Sequence, residues 1–139
     1  MFKEIPLEKL ARALSPVSGT VISIQRNPKE TENSVLSGLA GRQVHDFSKL
    51  NADLEDMLAL LALLDDYVGV SNTNMHLRAA AGRTAHVLVP GPVEWRWMAA
   101  GDESPWFPGF RIYRQGPDGN WEAALGRLRG DLLAAFGSG

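Results

Sequence analysis

The sequence predicts an α/β fold: a three-layer, Rossmann-like, doubly wound and mostly parallel sheet of about five strands. Three observations predict it. Apolar residues switch repeatedly between short β-branched runs and helical spacings, the pattern that alternating strands and helices leave. The short runs lack clean polar alternation, as strands covered on both faces do. Polar turns rich in hydroxyls and amides follow the apolar runs and open helices, most clearly at Ser71, Asn72, Thr73 and Asn74.

Each element has its own justification. Pro6 suits the first turn of a helix that carries Leu7, Leu10, Ala11 and Leu14 at helical spacing. Residues 20–25 (Thr-Val-Ile-Ser-Ile-Gln) are β-branched and read as a strand. A helix follows over 29–40, closed by Gly41, and a short strand over 42–47. Asn51 or Asp53 can cap the next helix, which places Glu55 and Asp56 in its first turn and carries Leu54, Met57, Leu58, Leu61 and Leu64. A strand ending at Val70, a helix over 73–81 and a strand over 85–89 come next. A loop rich in proline and tryptophan precedes a strand over 110–114. The turn Asp118-Gly119-Asn120 leads into a last helix over 121–136, with Leu125, Leu128, Leu132 and Leu133 inward. Residues 1–136 read as one domain and 137–139 as a flexible tail. The chain opens on a helix where a doubly wound domain ordinarily opens on a strand, so the sheet reads as lacking its first strand.

Composition narrows the function classes. The 139 residues carry a formal net charge of -2, which gives no bulk attraction to nucleic acid or an anionic membrane. The absence of cysteine excludes disulfides, thiolate catalysis and cysteine-zinc sites. No window reaches the roughly 18 apolar residues that a membrane span needs, and the N-terminus has no apolar signal core. The expected setting is cytoplasmic. No glycine-rich dinucleotide motif, P-loop or nucleophile elbow occurs. His45, His76 and His86 have no metal-site spacing, and no metal or cofactor is expected.

Several motifs in order resemble a known family. They are Ile5-Pro6-Leu7, Ile22-Ser23-Ile24-Gln25, the turn from Ser71 to His76-Leu77, Glu94-Trp95-Arg96-Trp97-Met98, the stretch 104–115 and Trp121. Together they resemble the C-terminal, donor-binding half of heptosyltransferase-like GT-B glycosyltransferases (glycosyltransferase family 9-like), of the kind found at the C-terminus of bacterial tetratricopeptide-repeat proteins. The resemblance implies a nucleotide-sugar donor. In that family a turn of the type Asp-Thr-x-x-x-His-Leu supports the donor diphosphate. Aligned without gaps, Ser71 takes the acidic position and Asn72 the threonine position; shifted by one, Asn72 stands in the acidic position beside Thr73. In either register the carboxylate is missing. Lys3 is similar to a family lysine that offsets phosphate charge, and Gln25 and Glu30 fall near a second donor-side loop. The resemblance also implies that this chain alone is not competent for transfer, because the acceptor-binding half is not part of it. The alternative is a degenerate, non-catalytic domain acting as an interaction or oligomerisation module, with tetratricopeptide repeats or a second copy as partner.

The residues themselves leave alternatives open. Ser71, Asn72, Thr73 and Asn74 suit a helix cap and an anion-holding turn equally, since both use the same N–H groups. His76 can be a base only with a reachable partner; its ordinary role is packing under a sheet and bonding a carbonyl. Arg96 suits a pyrophosphate clamp, or a pair with Glu94 or Glu103. Trp95, Trp97 and Trp106 suit a lid over a base or sugar, with Arg96 beside them. Trp97 and Trp106, beside Met98 and Pro105, suit a hydrophobic plug, and Arg111 and Arg114 the solvent face of a strand.

Overall fold

The computed structural model describes residues 5–29, 31–92 and 94–139. The fold is α/β, with five strands, five α-helices and two 3-10 turns among the described residues. The strands are all paired in parallel, but they form two sheets, of two and three strands, among the described residues. The chain divides into two compact units: Leu54–Ala124, and Ile5–Asp53 together with Leu125–Gly139.

The second of these units starts with helix α1 (Leu7–Leu14), which Pro6 precedes. Strand β1 (Val21–Ser23), helix α2 (Glu32–Ala40) and strand β2 (Val44–Asp46) follow. The strands pair in the register Val21 with Val44 and Ser23 with Asp46, so α2 is the crossover of a β-α-β unit. Gly41 closes α2 at φ 70°, the left-handed geometry that glycine adopts at least cost. Ala11, Leu36 and Val44 form a buried cluster, with Leu7 and Val21 packed against it. Arg42 ties the end of α1 down: its guanidinium donates to the carbonyls of Leu14 (2.6 Å) and Gly19 (2.7 Å). A 3-10 turn at Ser48–Ala52 occupies the run before Asp53, where the sequence offers no period. Helix α5 (Glu122–Phe136) supplies Leu125, Leu128 and Leu132, all buried. Residues 137–139, expected as a tail, run beside Val17: Ser18 N–H donates to the Gly137 carbonyl at 2.9 Å and Gly139 N–H to that of Pro16 at 3.0 Å.

The unit Leu54–Ala124 holds helix α3 (Leu54–Leu63), strand β3 (Val68–Val70), helix α4 (Thr73–Ala80), strand β4 (His86–Val89) and strand β5 (Arg111–Arg114). Its sheet has the order β3-β4-β5, with Val68 opposite His86 and His86 opposite Arg111. Val87, Leu88, Ile112 and Tyr113 are fully buried, which explains why their sequence shows no alternation. Gly69 is dictated by its neighbour, since a Cβ there would lie 2.8 Å from the Tyr67 hydroxyl. Helix α3 packs against α4, burying Met57 and Leu61 on one and Met75 on the other. Each such side chain contributes about 1.5–3 kcal/mol of transfer energy.

One charged residue holds this unit together. Arg78, on α4, is only 2% exposed. Its guanidinium donates to the carbonyls of Leu64 and Thr84, both at 2.8 Å, and to that of Leu61. These are carbonyls of the C-terminal turn of α3 and the run into β4. The cation satisfies acceptors that the helix end would otherwise leave buried and bare, and it faces the negative end of the helix dipole. Desolvation pushes its pKa down, aided by Arg83 and opposed by Asp66 and Asp65.

Candidate functional site

The carboxyl ends of β3 and β4 carry the residues singled out from the sequence. Asn72 is the N-cap of α4: its backbone is extended and its Oδ1 accepts the Met75 N–H at 3.2 Å. The capping expectation thus holds for Asn72. Thr73 opens the helix and is exposed, whereas Asn74 is 2% exposed and turned inward. Ser71 lines a small, shallow depression with Leu88, Val89, Pro90, Pro92, Glu94 and Trp97.

The segment after β4 builds the outer wall. A 3-10 turn at Trp95–Trp97 follows Glu94 and turns the two indoles in opposite directions. Trp97 is fully buried and stacks on Phe107, with centroids 4.6 Å apart. It is the plug that its apolar neighbours suggest. Its indole N–H is buried and makes no hydrogen bond among the described residues. Trp106 departs from the same expectation: it is 61% exposed and meets Trp95, 63% exposed, edge to face at 5.4 Å. Arg96 pairs with Glu94 and lays its guanidinium over the Trp95 ring, 5.0 Å from the centroid.

His76 also departs from expectation. It is exposed rather than tucked beneath the sheet, and its ring meets Phe107 edge-on at 5.3 Å. Its pKa is held below 6.5, first by partial desolvation and second by the charge of Arg96. The charge of Arg96 on the tryptophan loop thus reaches His76 on α4. The structure brings together Ser71, Asn72, His76, Trp95 and Arg96. Gln25 lies in the other unit, exposed and two residues past β1. Lys3 and Glu30 lie outside the described residues.

Two features went unread in the sequence. The first is Arg114, expected on a solvent face. It donates instead to the carbonyls of Met98 (2.7 Å), Gly101 (3.1 Å) and Trp97, strapping the tryptophan loop to β5. Desolvation lowers its pKa, with Asp102 acting in the opposite sense. The second is a polar chain at the other end of the sheet. His86 Nε2 lies 2.7 Å from Asp66 Oδ2, and His86 Nδ1 lies 2.8 Å from the Tyr113 hydroxyl. The carboxylate accepts from Nε2–H, which in a neutral ring leaves Nδ1 to accept from the tyrosine. The available signal was a histidine inside the apolar run Ala-His-Val-Leu-Val.

No helix of the described residues is long and apolar enough to cross a membrane. No family model and no solved structure matches the chain. Protein FlbA of Caulobacter vibrioides is 34% identical over 79 residues, a stretch covering 57% of this chain and 13% of that protein.

Proposed function

We propose that this chain is a nucleotide-sugar-binding domain of a heptosyltransferase-like GT-B glycosyltransferase, not competent for transfer alone. The observation that carries this reading is the convergence at the carboxyl ends of β3 and β4. A capped helix start, a histidine, an arginine and two outward indoles gather where parallel α/β sheets hold ligands. Ser71 and the first N–H groups of α4 would receive donor phosphate. Arg96 would add charge, and Trp95 would border the base or sugar. The two parallel sheets would be parts of one Rossmann-like half.

A second reading, a non-catalytic interaction module, has its own support. Arg96 is already paired with Glu94 and stacked on Trp95, and tryptophan and arginine are the residues that dominate protein interfaces. Thermal unfolding with UDP-glucose, GDP-mannose, ADP-glucose and a CMP-linked sugar separates the two. Ligand at a hundredfold excess over Kd adds about 2.7 kcal/mol, or roughly ten degrees for a domain of this size. A shift with one nucleotide that is lost in Asn72→Ala and Arg96→Ala supports the donor site. No shift with any of them leaves the interaction module.

A further inference from the structure

The tryptophan loop carries an unusual backbone. Met98, directly after the 3-10 turn, sits at φ 62° and ψ 166°. This region is essentially reserved for glycine, because a Cβ there crowds the flanking peptide. Such a conformation persists only where the surroundings over-determine it, and they do so here. The Arg114 guanidinium holds the carbonyls on both sides of the Met98 N–H and Cα, those of Trp97 and Met98, and a third at Gly101. The Ser104 hydroxyl donates to the Arg96 carbonyl, and Ile112 N–H donates to that of Asp102 at 3.0 Å. Buried Trp97 anchors the turn from within.

The strain has a geometric result. In the 3-10 turn that Met98 closes, residues face opposite ways: Trp97 inward against Phe107, Trp95 outward against Trp106 with Arg96 over its ring. We propose that Arg114 is a positioning residue: through Met98 it holds Trp95, Arg96 and Trp106 in a preformed ligand-binding arrangement. A preformed wall binds more tightly than one that must order on contact, because the cost of immobilising the side chains is met during folding. The planar guanidinium suits this task, since its fork reaches several carbonyls at once whereas a lysine ammonium reaches them from a single point. Arg114 itself touches no ligand in this account. The proposal takes its ligand from the nucleotide-sugar reading.

The test compares the full chain with Arg114→Met, Arg114→Lys and Met98→Gly, using two readouts. The first is acrylamide quenching of tryptophan fluorescence. Trp95 and Trp106 are exposed while Trp97 and Trp121 are buried, so two of the four indoles are open to quencher. Release of the strap adds Trp97, and the quenchable share rises to about three of four in Arg114→Met, with Arg114→Lys between. The second is the Kd for whichever of the four nucleotide sugars shifts the wild-type chain. Arg114→Met weakens it about tenfold, while Met98→Gly, which can keep the geometry, retains affinity within about twofold. A lower melting temperature with quenching and affinity unchanged would make Arg114 a plain structural tie and overturn the proposal. If no nucleotide sugar binds the wild-type chain, the donor reading fails by itself, and quenching alone then judges the strap. Unchanged quenching in Arg114→Met overturns it; increased quenching upholds it.

Discussion

The two ends of the β3-β4-β5 sheet treat their polar groups in opposite ways. At the amino end every notable group is answered from within: Asp66 by His86, His86 by Tyr113, and the Arg78 guanidinium by four carbonyls. At the carboxyl end the tie also exists, through Arg114, but what it secures is turned outward: two indoles more than 60% exposed, with Arg96 and His76 beside them. Large aromatic side chains left in water offset no folding cost, so their display points to use. The contrast teaches that one type of joint, arginine on main-chain carbonyls, can close one edge of a sheet and present the other.

Three outcomes break or sharpen this contrast. The largest effect belongs to Arg78→Met, which strips the buried Leu61 carbonyl and that of Thr84 of this donor and leaves Leu64 to Arg83 alone; it costs about 3–5 kcal/mol in urea unfolding. A loss under about 1 kcal/mol would mean that the amino end is not where stability is concentrated. Next comes Tyr113→Phe, which leaves His86 Nδ1 buried without its donor and costs about 1–2 kcal/mol. Were this variant to change ligand affinity as well, the division between the two ends would fall.

The smallest effect concerns His76. Its depressed pKa means that the unfolded chain binds a proton more readily than the folded one. Stability therefore rises with pH through the window just below 6.5 and is flat with respect to this group above it. His76→Gln flattens that slope. An NMR titration of Arg96→Gln moves the histidine back toward 6.5, because one of the two depressing causes is gone. An unmoved titration would separate His76 from the tryptophan loop.

The order of elements was legible because it is written in local periods. Leu7 to Leu14, Leu54 to Leu61 and Val87 to Val89 each declare themselves within one window. Gly41 closes α2 and Asn72 caps α4 through chemistry that spans three or four residues. The 3-10 turn at Ser48–Ala52 was silent, since a single short turn has no period to detect. The division of five strands into sheets of two and three was equally silent, because pairing between strands is a long-range choice. The candidate site divides along the same line. Its helix start was readable, but the bonds from Arg114 to Met98 and Trp97 cross 16 and 17 residues, and that from His86 to Asp66 crosses 20. Trp97 and Trp106 look alike in sequence and differ fully in burial, because Trp97 stacks on Phe107 inside the unit while the Trp106 ring meets the exposed Trp95.

Arg42, Arg78 and Arg114 share one habit whose consequence is evolutionary. Each binds carbonyl oxygens, and every amino acid supplies a carbonyl. The acceptors at Leu14, Leu64 and Thr84, none of them buried, can therefore change side chain without losing their half of the bond. A salt bridge binds two codons to one another, so that neither can drift unless the other follows. Here each cross-tie constrains a single codon, and the surrounding sequence is free to diverge while the architecture stays in place.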